Sequence, residues 1–175
     1  MEYTVPAATK IGHAHLKVAD IERSLKFYRD LLGFAVMQWY GKDAVFLSAG
    51  GYHHHIGLNT WYSKNAPPAP VRSAGLFHVA ILYSTRKDLA AILKRLIDAK
   101  YPLTGASDHG VSEALYMDDP DQNGIELYWD RPREQWPRNE KGDLADQAGD
   151  QPADAGCVLG VLYYLRDPLC AQLRF

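Results

Sequence analysis

The chain has 175 residues, of which 47% are hydrophobic and 23% are charged, as in an ordinary globular protein. A chain of this length suits one domain and buries roughly two-thirds of its unfolded surface, so it needs no disulfide to fold. The formal charge of −2 provides no basic surface for a nucleic-acid backbone or an anionic membrane. We therefore expect neither kind of partner.

The cysteines and the chain ends bear on the cellular compartment. Cys157 and Cys170 lie near the C-terminal end, away from any cluster of candidate ligands, which is not the pattern of a disulfide framework. Residues 1–15 lack the charged segment and apolar run of a signal peptide. The apolar run at residues 157–165 is too short to cross a bilayer. These features predict a cytoplasmic protein.

The first third of the chain predicts the element order β-α-β-β-β. Residues 11–18 alternate like a half-buried strand, and Asp20 is the expected N-cap of a helix that ends at Gly33. Apolar residues of this helix recur at helical spacing: Ile21, Leu25, Tyr28 and Leu32. Three strand-like runs follow at residues 34–40, 43–50 and 53–61.

The same order recurs after a proline-rich loop. Residues 76–83 read as a strand and residues 86–99 as a helix, with one apolar face made of Leu89, Ile92, Leu93 and Leu96. Further strand-like runs lie around Leu103 and at residues 112–117 and 124–129. His13 and His78 occupy the same place in the two copies, 78 − 13 = 65 residues apart. The repeat predicts an α+β fold, in which two βαβββ modules form a cupped mixed sheet with helices on the outside.

The repeat also predicts the domain organisation. After Asp130 the sequence becomes polar, rich in Asp, Pro and Gly, and loses its periodicity. We expect one domain over residues 1–137 and a partly flexible C-terminal extension over residues 138–175. Within the domain the expected parts are module one at about 10–62, a linker at 63–75 and module two at about 76–131.

Three polar side chains lie in predicted strands that each have one strongly apolar face. Alternate residues of a strand share a face, so His13, His78 and Glu126 project opposite the apolar faces. Two imidazoles and one carboxylate form the ligand set that suits non-haem Fe(II) and similar divalent metals. Each residue taken alone is more often an ordinary strand residue. The equivalent places of the two histidines, and the cost of an unpaired carboxylate among apolar residues, favour a metal site.

Four segments carry a resemblance to a known family: residues 12–34, 48–61, 75–83 and 108–132. They resemble the vicinal oxygen chelate superfamily, which includes glyoxalase I, fosfomycin-modifying enzymes, bleomycin-binding proteins and extradiol ring-cleaving dioxygenases. The last three segments are most similar to catechol-2,3-dioxygenase-like bacterial proteins. The resemblance covers about residues 10–137 and implies the metal ligands His13, His78 and Glu126.

The resemblance also bears on the reaction class. Glyoxalase-type isomerases usually take a further ligand from the last strand of the first module, and Gly57 stands at that place. This departure implies the three-ligand dioxygenase class, with Fe(II) expected and Mn, Ni or Zn as alternatives. His55 on the same predicted strand is an alternative fourth ligand. A glyoxalase-type isomerase, a thiol transferase and a metal-free binding protein that confers resistance are the competing functions.

The family pattern implies an acid–base histidine in a His-x-x-Ala-like sequence. Residues 54–57 read His-His-Ile-Gly, which puts His54 in the acid–base place. Strict alternation along a strand instead places His55 with Gly57 on one face and His54 on the other. His55 is therefore expected to bind substrate, and it is the alternative acid–base residue.

Two further residues match the dioxygenase pattern. A substrate-holding tyrosine is expected ten residues before the glutamate ligand, at 126 − 10 = 116, and Tyr116 stands there. His109 lies close to the place of an upstream catalytic histidine. The acidic residues at 119–124 are expected to serve turn geometry and not metal binding.

The implied reaction is the opening of an aromatic diol beside its hydroxyl groups, as in the breakdown of aromatic compounds. The expected partners are thus a small aromatic substrate and dioxygen, with a homodimer as an open alternative. Trp39, Phe46 and Trp61 would suit a flat substrate, although packing in the core is their simpler explanation.

Overall fold

The strands of the computed structural model, which describes residues 2–145, form two four-stranded mixed sheets. Each sheet belongs to one of two compact units, Met1–Pro68 (unit 1) and Ala69–Phe175 (unit 2). The division falls inside the stretch expected to be a linker. Cys157, Cys170 and the apolar run near the C-terminal end lie outside the described residues.

Unit 1 has the element order predicted from its sequence. Its elements are β1 (Ala14–Lys17), α1 (Ile21–Leu25), a π-helical segment (Lys26–Leu31), β2 (Ala35–Tyr40), β3 (Ala44–Ser48) and β4 (Ile56–Asn59). The sheet order is β1-β4-β3-β2, with β1 parallel to β4 and the other pairs antiparallel. Asp20 caps α1 by accepting the Arg23 backbone N–H at 2.9 Å, and Gly33 ends the helical stretch with φ of +89°.

The helical periodicity of unit 1 is confirmed by burial, since Ile21, Leu25, Tyr28 and Leu32 are all buried. Two boundaries differ from the sequence prediction. The helix changes to π-helical winding at Lys26, and the last strand begins at Ile56 instead of residue 53. Residues 53–55 therefore belong to the loop before β4, and the alternation of side chains along a strand does not extend to them.

Unit 2 repeats the order. Its elements are β5 (His78–Leu82), α2 (Arg86–Asp98), β6 (Gly105–Asp108), β7 (Ser112–Asp118), β8 (Gly124–Asp130) and a 3-10 turn (Arg133–Gln135). The sheet order is β5-β8-β7-β6, again with one parallel pair, β5 and β8. Thr85 caps α2 by accepting the Asp88 backbone N–H at 3.1 Å. The four apolar residues predicted for one face of this helix are buried.

In each unit the helix packs against one face of the sheet, and the predicted site residues in the strands lie on the other face. In unit 1 the helix-covered face carries buried apolar residues: Leu16, Val45, Leu47, Ile56 and Leu58. The register places His15, Phe46 and Gly57 on the opposite face. In unit 2 the buried residues Leu115, Ile125 and Leu127 alternate with Tyr116 and Glu126 in the same way.

The α+β fold of two βαβββ modules is thus confirmed. The strands form one sheet in each unit, and neither sheet closes into a barrel. Among residues 2–145, no helix has the length and apolar character needed to cross a membrane.

Candidate metal and acid–base site

In unit 2, β5 and β8 bring two predicted ligands together. His78 pairs in register with Gly124, and Ala80 pairs with Glu126, so His78 and Glu126 lie on the same face two residues apart along the strands. A side chain at position 124 would collide with the Phe77 carbonyl oxygen, which explains the glycine at this close approach. His78 Nε2 lies 2.9 Å from Glu126 Oε2. The pair is partly shielded, with side-chain exposures of 31% and 12%.

Tyr116 on β7 is the direct cross-strand partner of Glu126. Its hydroxyl donates to Glu126 Oε1 at 3.2 Å, and His109 Nε2 lies 2.7 Å from the same hydroxyl oxygen. With the tyrosine proton directed to the carboxylate, the His109 tautomer that completes the chain is the one whose Nε2–H donates to the Tyr116 oxygen. The four predicted residues of unit 2 thus form one hydrogen-bonded chain in the order His109, Tyr116, Glu126 and His78.

The donor atoms of this chain fit a divalent cation in part. An imidazole nitrogen and a carboxylate oxygen are ligands that divalent transition metals accept, and His78 and Glu126 present one of each, 2.9 Å apart. Nδ1 of His78 is buried without a hydrogen-bond partner among the described residues. Within residues 2–145, no group of three or more His, Cys, Asp or Glu side chains is arranged to hold a metal ion. The site of three ligands therefore remains a prediction. Of the three predicted ligands, His78 and Glu126 are in contact.

In unit 1, the third predicted ligand lies beside the predicted acid–base residue. His13 precedes β1, and its ring centroid is 4.3 Å from that of His54. Nδ1 of His54 lies 2.8 Å from Nδ1 of His53, and the His54 ring also contacts Phe46 at 4.9 Å. Burial lowers the pKa of His54, and the neighbouring His13 lowers this pKa further.

His55 is held differently. Its Nδ1 lies 3.0 Å from Ser48 Oγ and accepts the Ala49 backbone N–H at 3.3 Å. Its backbone extends the sheet, since its N–H donates to Leu47 O at 2.8 Å and its carbonyl accepts from Ala14 N at 2.9 Å. The expectation that His55 binds substrate remains a prediction, but it is His54 whose ring packs on His13.

A relationship that the sequence analysis missed involves His15 and Gly57, partners in the parallel pair of β1 and β4. A Cβ added to Gly57 would lie 2.9 Å from Cδ2 of His15, so the imidazole occupies the space that a side chain would need. Burial lowers the pKa of His15, with His13 as the second cause. The sequence shows that His13 and His15 lie on the same face of one strand. This alternation does not reveal what each ring contacts.

The carboxylate of Asp119 serves the 119–124 turn itself. Asp119 Oδ1 accepts the backbone N–H groups of Asp121 at 2.8 Å and Asn123 at 2.9 Å. The buried Glu113 projects from the face of β7 opposite Tyr116 and pairs with Arg86 at 2.7 Å and Arg131 at 2.8 Å. These carboxylates have structural partners away from Glu126.

Residues 10–127 match the model of the Glyoxalase/Bleomycin resistance protein/Dioxygenase superfamily. The chain belongs to this superfamily. It is 41% identical over 156 residues to the catechol-2,3-dioxygenase of Bacillus subtilis (strain 168), covering 82% of this chain and 53% of that protein. It is 30% identical over 122 residues to biphenyl-2,3-diol 1,2-dioxygenase 3 of Rhodococcus globerulus, covering 69% of this chain and 63% of that protein. The chain thus spans about half to two-thirds of the length of these relatives.

Solved structures share the fold of this superfamily member. A glyoxalase/dioxygenase from Nostoc punctiforme aligns with a TM-score of 0.59 at 18% identity, covering 75% of this chain and 100% of that chain. Lactoylglutathione lyase from Agrobacterium tumefaciens aligns with a TM-score of 0.56 at 19% identity, covering 72% and 96%. At such identities the likeness concerns the fold alone.

Proposed function

We propose that this superfamily member is an extradiol ring-cleaving dioxygenase that opens a catechol-like aromatic diol with dioxygen. The observation that carries the proposal is the hydrogen-bonded chain of His109, Tyr116, Glu126 and His78. It joins a pair of metal-type ligands to a hydroxyl group and a second imidazole. The two relatives, a catechol-2,3-dioxygenase and a biphenyl-2,3-diol 1,2-dioxygenase, support the same reaction class.

The proposed metal is Fe(II), with His13, His78 and Glu126 as its ligands. When bound, the iron would bring the diol and dioxygen together and let electron density pass between them. Support in unit 2 comes from Nε2 and Oε2, which lie 2.9 Å apart. Support for His13 comes from its equivalence to His78 in the repeat and from its contact with His54.

Tyr116 is the proposed substrate-holding residue. Its hydroxyl is within hydrogen-bond distance of Glu126 Oε1, and it can turn from this oxygen to a substrate oxygen beside the carboxylate. In its Nε2–H tautomer, His109, 2.7 Å from the phenol oxygen, would donate to that oxygen and keep the Tyr116 proton available for donation. A hydrogen bond from the Tyr116 hydroxyl to an ionised diol oxygen would be charge-assisted and therefore strong. Tyr116 and His109 together would thus orient the diol before reaction.

His54 is the proposed acid–base residue. Its Nδ1 lies 2.8 Å from Nδ1 of His53. In the tautomer whose Nδ1–H donates to His53, Nε2 is the free acceptor that takes the proton of a substrate hydroxyl and returns it as the ring opens. Imidazole suits this role because its ordinary pKa lies near neutral pH. The role is proposed on the contact with His13 and on the match of residues 54–57 to the family sequence.

The main competing function is a glyoxalase-type isomerase or thiol transferase of the same superfamily. Such an enzyme would need a further ligand from the last strand of the first module. Gly57 offers no side chain there, and Nδ1 of His55 is already bonded near Ser48. These two observations favour the three-ligand dioxygenase.

The proposal is tested on protein purified without oxygen. Metal analysis should find iron in stoichiometric amount, and catechol should cause oxygen uptake with the rise of a ring-opened product. The Glu126→Ala variant should lose both iron and oxygen uptake, while Glu134→Ala, which removes an exposed acid in the 3-10 turn, should keep both. Nickel or zinc in place of iron, with no oxygen uptake, would contradict the proposal. We also propose a cytoplasmic location, motivated by the absence of a disulfide framework, which fractionation of the native cells would check.

A further inference from the structure

His109, which begins the hydrogen-bonded chain of unit 2, lies in the turn between β6 and β7 and not in a strand. Its backbone N–H donates to the Ser112 carbonyl oxygen at 2.9 Å, which closes the turn. The next residue, Gly110, has φ of +72°, a left-handed conformation that glycine adopts at no steric cost. Turns are more mobile than the strands that they connect. An imidazole that must stay within hydrogen-bond distance of Tyr116 therefore needs contacts that hold this turn.

Asp108, the last residue of β6, provides the first of these contacts. Its Oδ1 accepts the Gly110 backbone N–H at 2.9 Å, in the turn that aspartate forms with the residue two positions on. Its Oδ2 accepts Nη2 of Arg131 at 2.7 Å. The carboxylate thus joins the residue after His109 to the residue that follows β8.

Arg131 contacts the turn a second time, because its backbone N–H donates to the Val111 carbonyl oxygen at 2.8 Å. An exposed ion pair alone contributes little, and the side chain of Asp108 is 57% exposed. The same Nη2, however, also donates to Oε1 of Glu113 at 2.8 Å, and that side chain is only 5% exposed. A planar guanidinium nitrogen that serves two carboxylates has its direction fixed.

Glu113 is itself held from the side of the helix. Nε of Arg86, the first residue of α2, donates to Glu113 Oε2 at 2.7 Å. A buried carboxylate that lost a partner would be costly, so Glu113 retains Arg131 strongly. The ion pairs therefore run from α2 through the buried glutamate and Arg131 to the turn that carries His109.

We propose that Arg131 and Asp108 are positioning residues that hold His109 against Tyr116. They act through the turn, since His109 Nε2 lies 2.7 Å from the Tyr116 oxygen and a small rotation of the turn would break that contact. The importance of this position for catalysis rests on the proposed function, in which Tyr116 holds the substrate. The ion pairs of Arg131 would thus serve the reaction as well as the stability of unit 2.

Heteronuclear NMR on the full chain freed of metal tests the position of the ring directly. The His109 ring signals are identified as those missing from His109→Gln. Arg131→Gln and Asp108→Ala should shift and broaden these signals, with the fold checked by circular dichroism. Because Asp108 is exposed, Asp108→Ala keeps the test decisive if Arg131→Gln folds poorly. Arg86→Gln is the matched control, since Arg86 bonds the same buried carboxylate from the side of α2, and it should leave the ring signals in place.

Kinetics of the iron-loaded enzyme test the consequence for catalysis. Asp108→Ala and Arg131→Gln should each lower kcat/KM for catechol by roughly tenfold, within the range for residues that share one network. In the His109→Gln background each should have little further effect, because the residue that they position is absent.

The two measurements separate this inference from the proposed function. Unmoved ring signals, unchanged kcat/KM in both variants, or losses of equal size with and without His109 would overturn the inference and leave the dioxygenase proposal standing. Absence of oxygen uptake by the iron-loaded wild type, with the ring signals moving as expected, would overturn the proposed function while the positioning of His109 by Arg131 and Asp108 still stands.

Discussion

The imidazole of His15 lies against the backbone of Gly57, its register partner in the parallel pair of β1 and β4. An ideal Cβ on Gly57 would be 2.9 Å from His15 Cδ2 and 3.0 Å from Cγ, a separation that real side chains do not adopt. Any substitution at position 57 must therefore move the His15 ring. Gly57 thus has two effects. It offers no ligand to a metal, and it leaves space for the His15 ring, which contacts Phe46 and Trp61.

Replacing Gly57 with Glu should convert the proposed three-ligand site towards the four-ligand class. The new carboxylate should tighten metal binding and block a diol that needs two metal positions, so ring cleavage should fall sharply while metal content holds or rises. Gly57→Ala is the control, because it displaces His15 in the same way but supplies no ligand. Metal affinity and oxygen uptake measured for both variants check this. Intact ring cleavage in Gly57→Glu would show that our account of this strand is wrong.

Each proposed ligand should be necessary for metal binding. His13→Ala, His78→Ala and Glu126→Ala should each lower bound iron to a small fraction of the wild-type value. The fold should persist in all three, because buried apolar residues such as Leu58 and Leu127 hold the sheets and a domain of this size does not depend on a metal. Metal analysis alongside circular dichroism provides the measurement. Full iron occupancy in His78→Ala would refute the ligand assignment.

Tyr116→Phe removes one hydroxyl and little else. Loss of a hydrogen bond to a charged substrate oxygen should cost about 1.5–3 kcal/mol in turnover, in binding or in both, with iron content unchanged. Tyr62→Phe, an exposed tyrosine, is the matched control and should behave as wild type. Steady-state kinetics with catechol measures the effect, and a Tyr116→Phe enzyme of full activity would remove the substrate-holding role.

His109 should act through Tyr116, because its Nε2 lies 2.7 Å from the tyrosine oxygen. His109→Ala should therefore reduce activity in the wild-type background and have little further effect in the Tyr116→Phe background. A double-mutant cycle measures this coupling directly. Fully additive losses would indicate that His109 reaches the substrate independently of Tyr116.

Elements with a clear periodicity were predictable from the sequence. Ile21, Leu25, Tyr28 and Leu32 recur at helical spacing, and all four are buried, because burial of one helix face is what selects that spacing. The repeat similarly placed His78 and Glu126 opposite the apolar faces of their strands, and their side chains meet at 2.9 Å. Periodicity carries this information because each strand has one apolar face to cover.

The loop before β4 was not predictable in the same way. Three consecutive histidines have no period, and the backbone bonds of His55 to Leu47 and Ala14 decide which imidazole points where. The contact of His15 with Trp61 depends on cross-strand register and on a turn, neither of which a single strand pattern specifies. The π-helical winding after Leu25 was not predictable either, because it leaves the apolar spacing almost unchanged.

Unfolding at high pH should report on Tyr83. Burial, with Asp88 as a second cause, raises the pKa of Tyr83 to about 12 from an ordinary value near 10. The unfolded chain then loses this proton first, so the stabilisation is complete below pH 10 and is lost as the pH rises towards 12. The slope from one such tyrosine is at most about 1.4 kcal/mol per pH unit. Denaturant titrations should show a shallower decline in Tyr83→Phe, and an identical slope would contradict the shift.

The loop before β4, which contains His53, His54 and His55, provides the sharpest test of the proposed mechanism. Removing a general acid–base histidine costs roughly a hundredfold to ten-thousandfold in rate, and the His54 ring is the one that packs on His13. His54→Ala should therefore show a loss of that size. His55→Ala should lose less, because His55 is bonded near Ser48 and contributes to the position of the loop.

His55→Asn provides the control, since an amide oxygen can replace Nδ1 as an acceptor for the Ala49 N–H. Activity recovered in His55→Asn relative to His55→Ala would identify a positioning role, whereas equal losses would indicate that the imidazole itself reacts. Catechol cleavage by all three variants, at matched iron content, provides the measurement. If neither His54→Ala nor His55→Ala lowers cleavage by more than a few-fold, the dioxygenase mechanism assigned to this loop fails. The glyoxalase-type isomerase then becomes the better account, because its chemistry does not need the acid–base residue that the family sequence puts at His54.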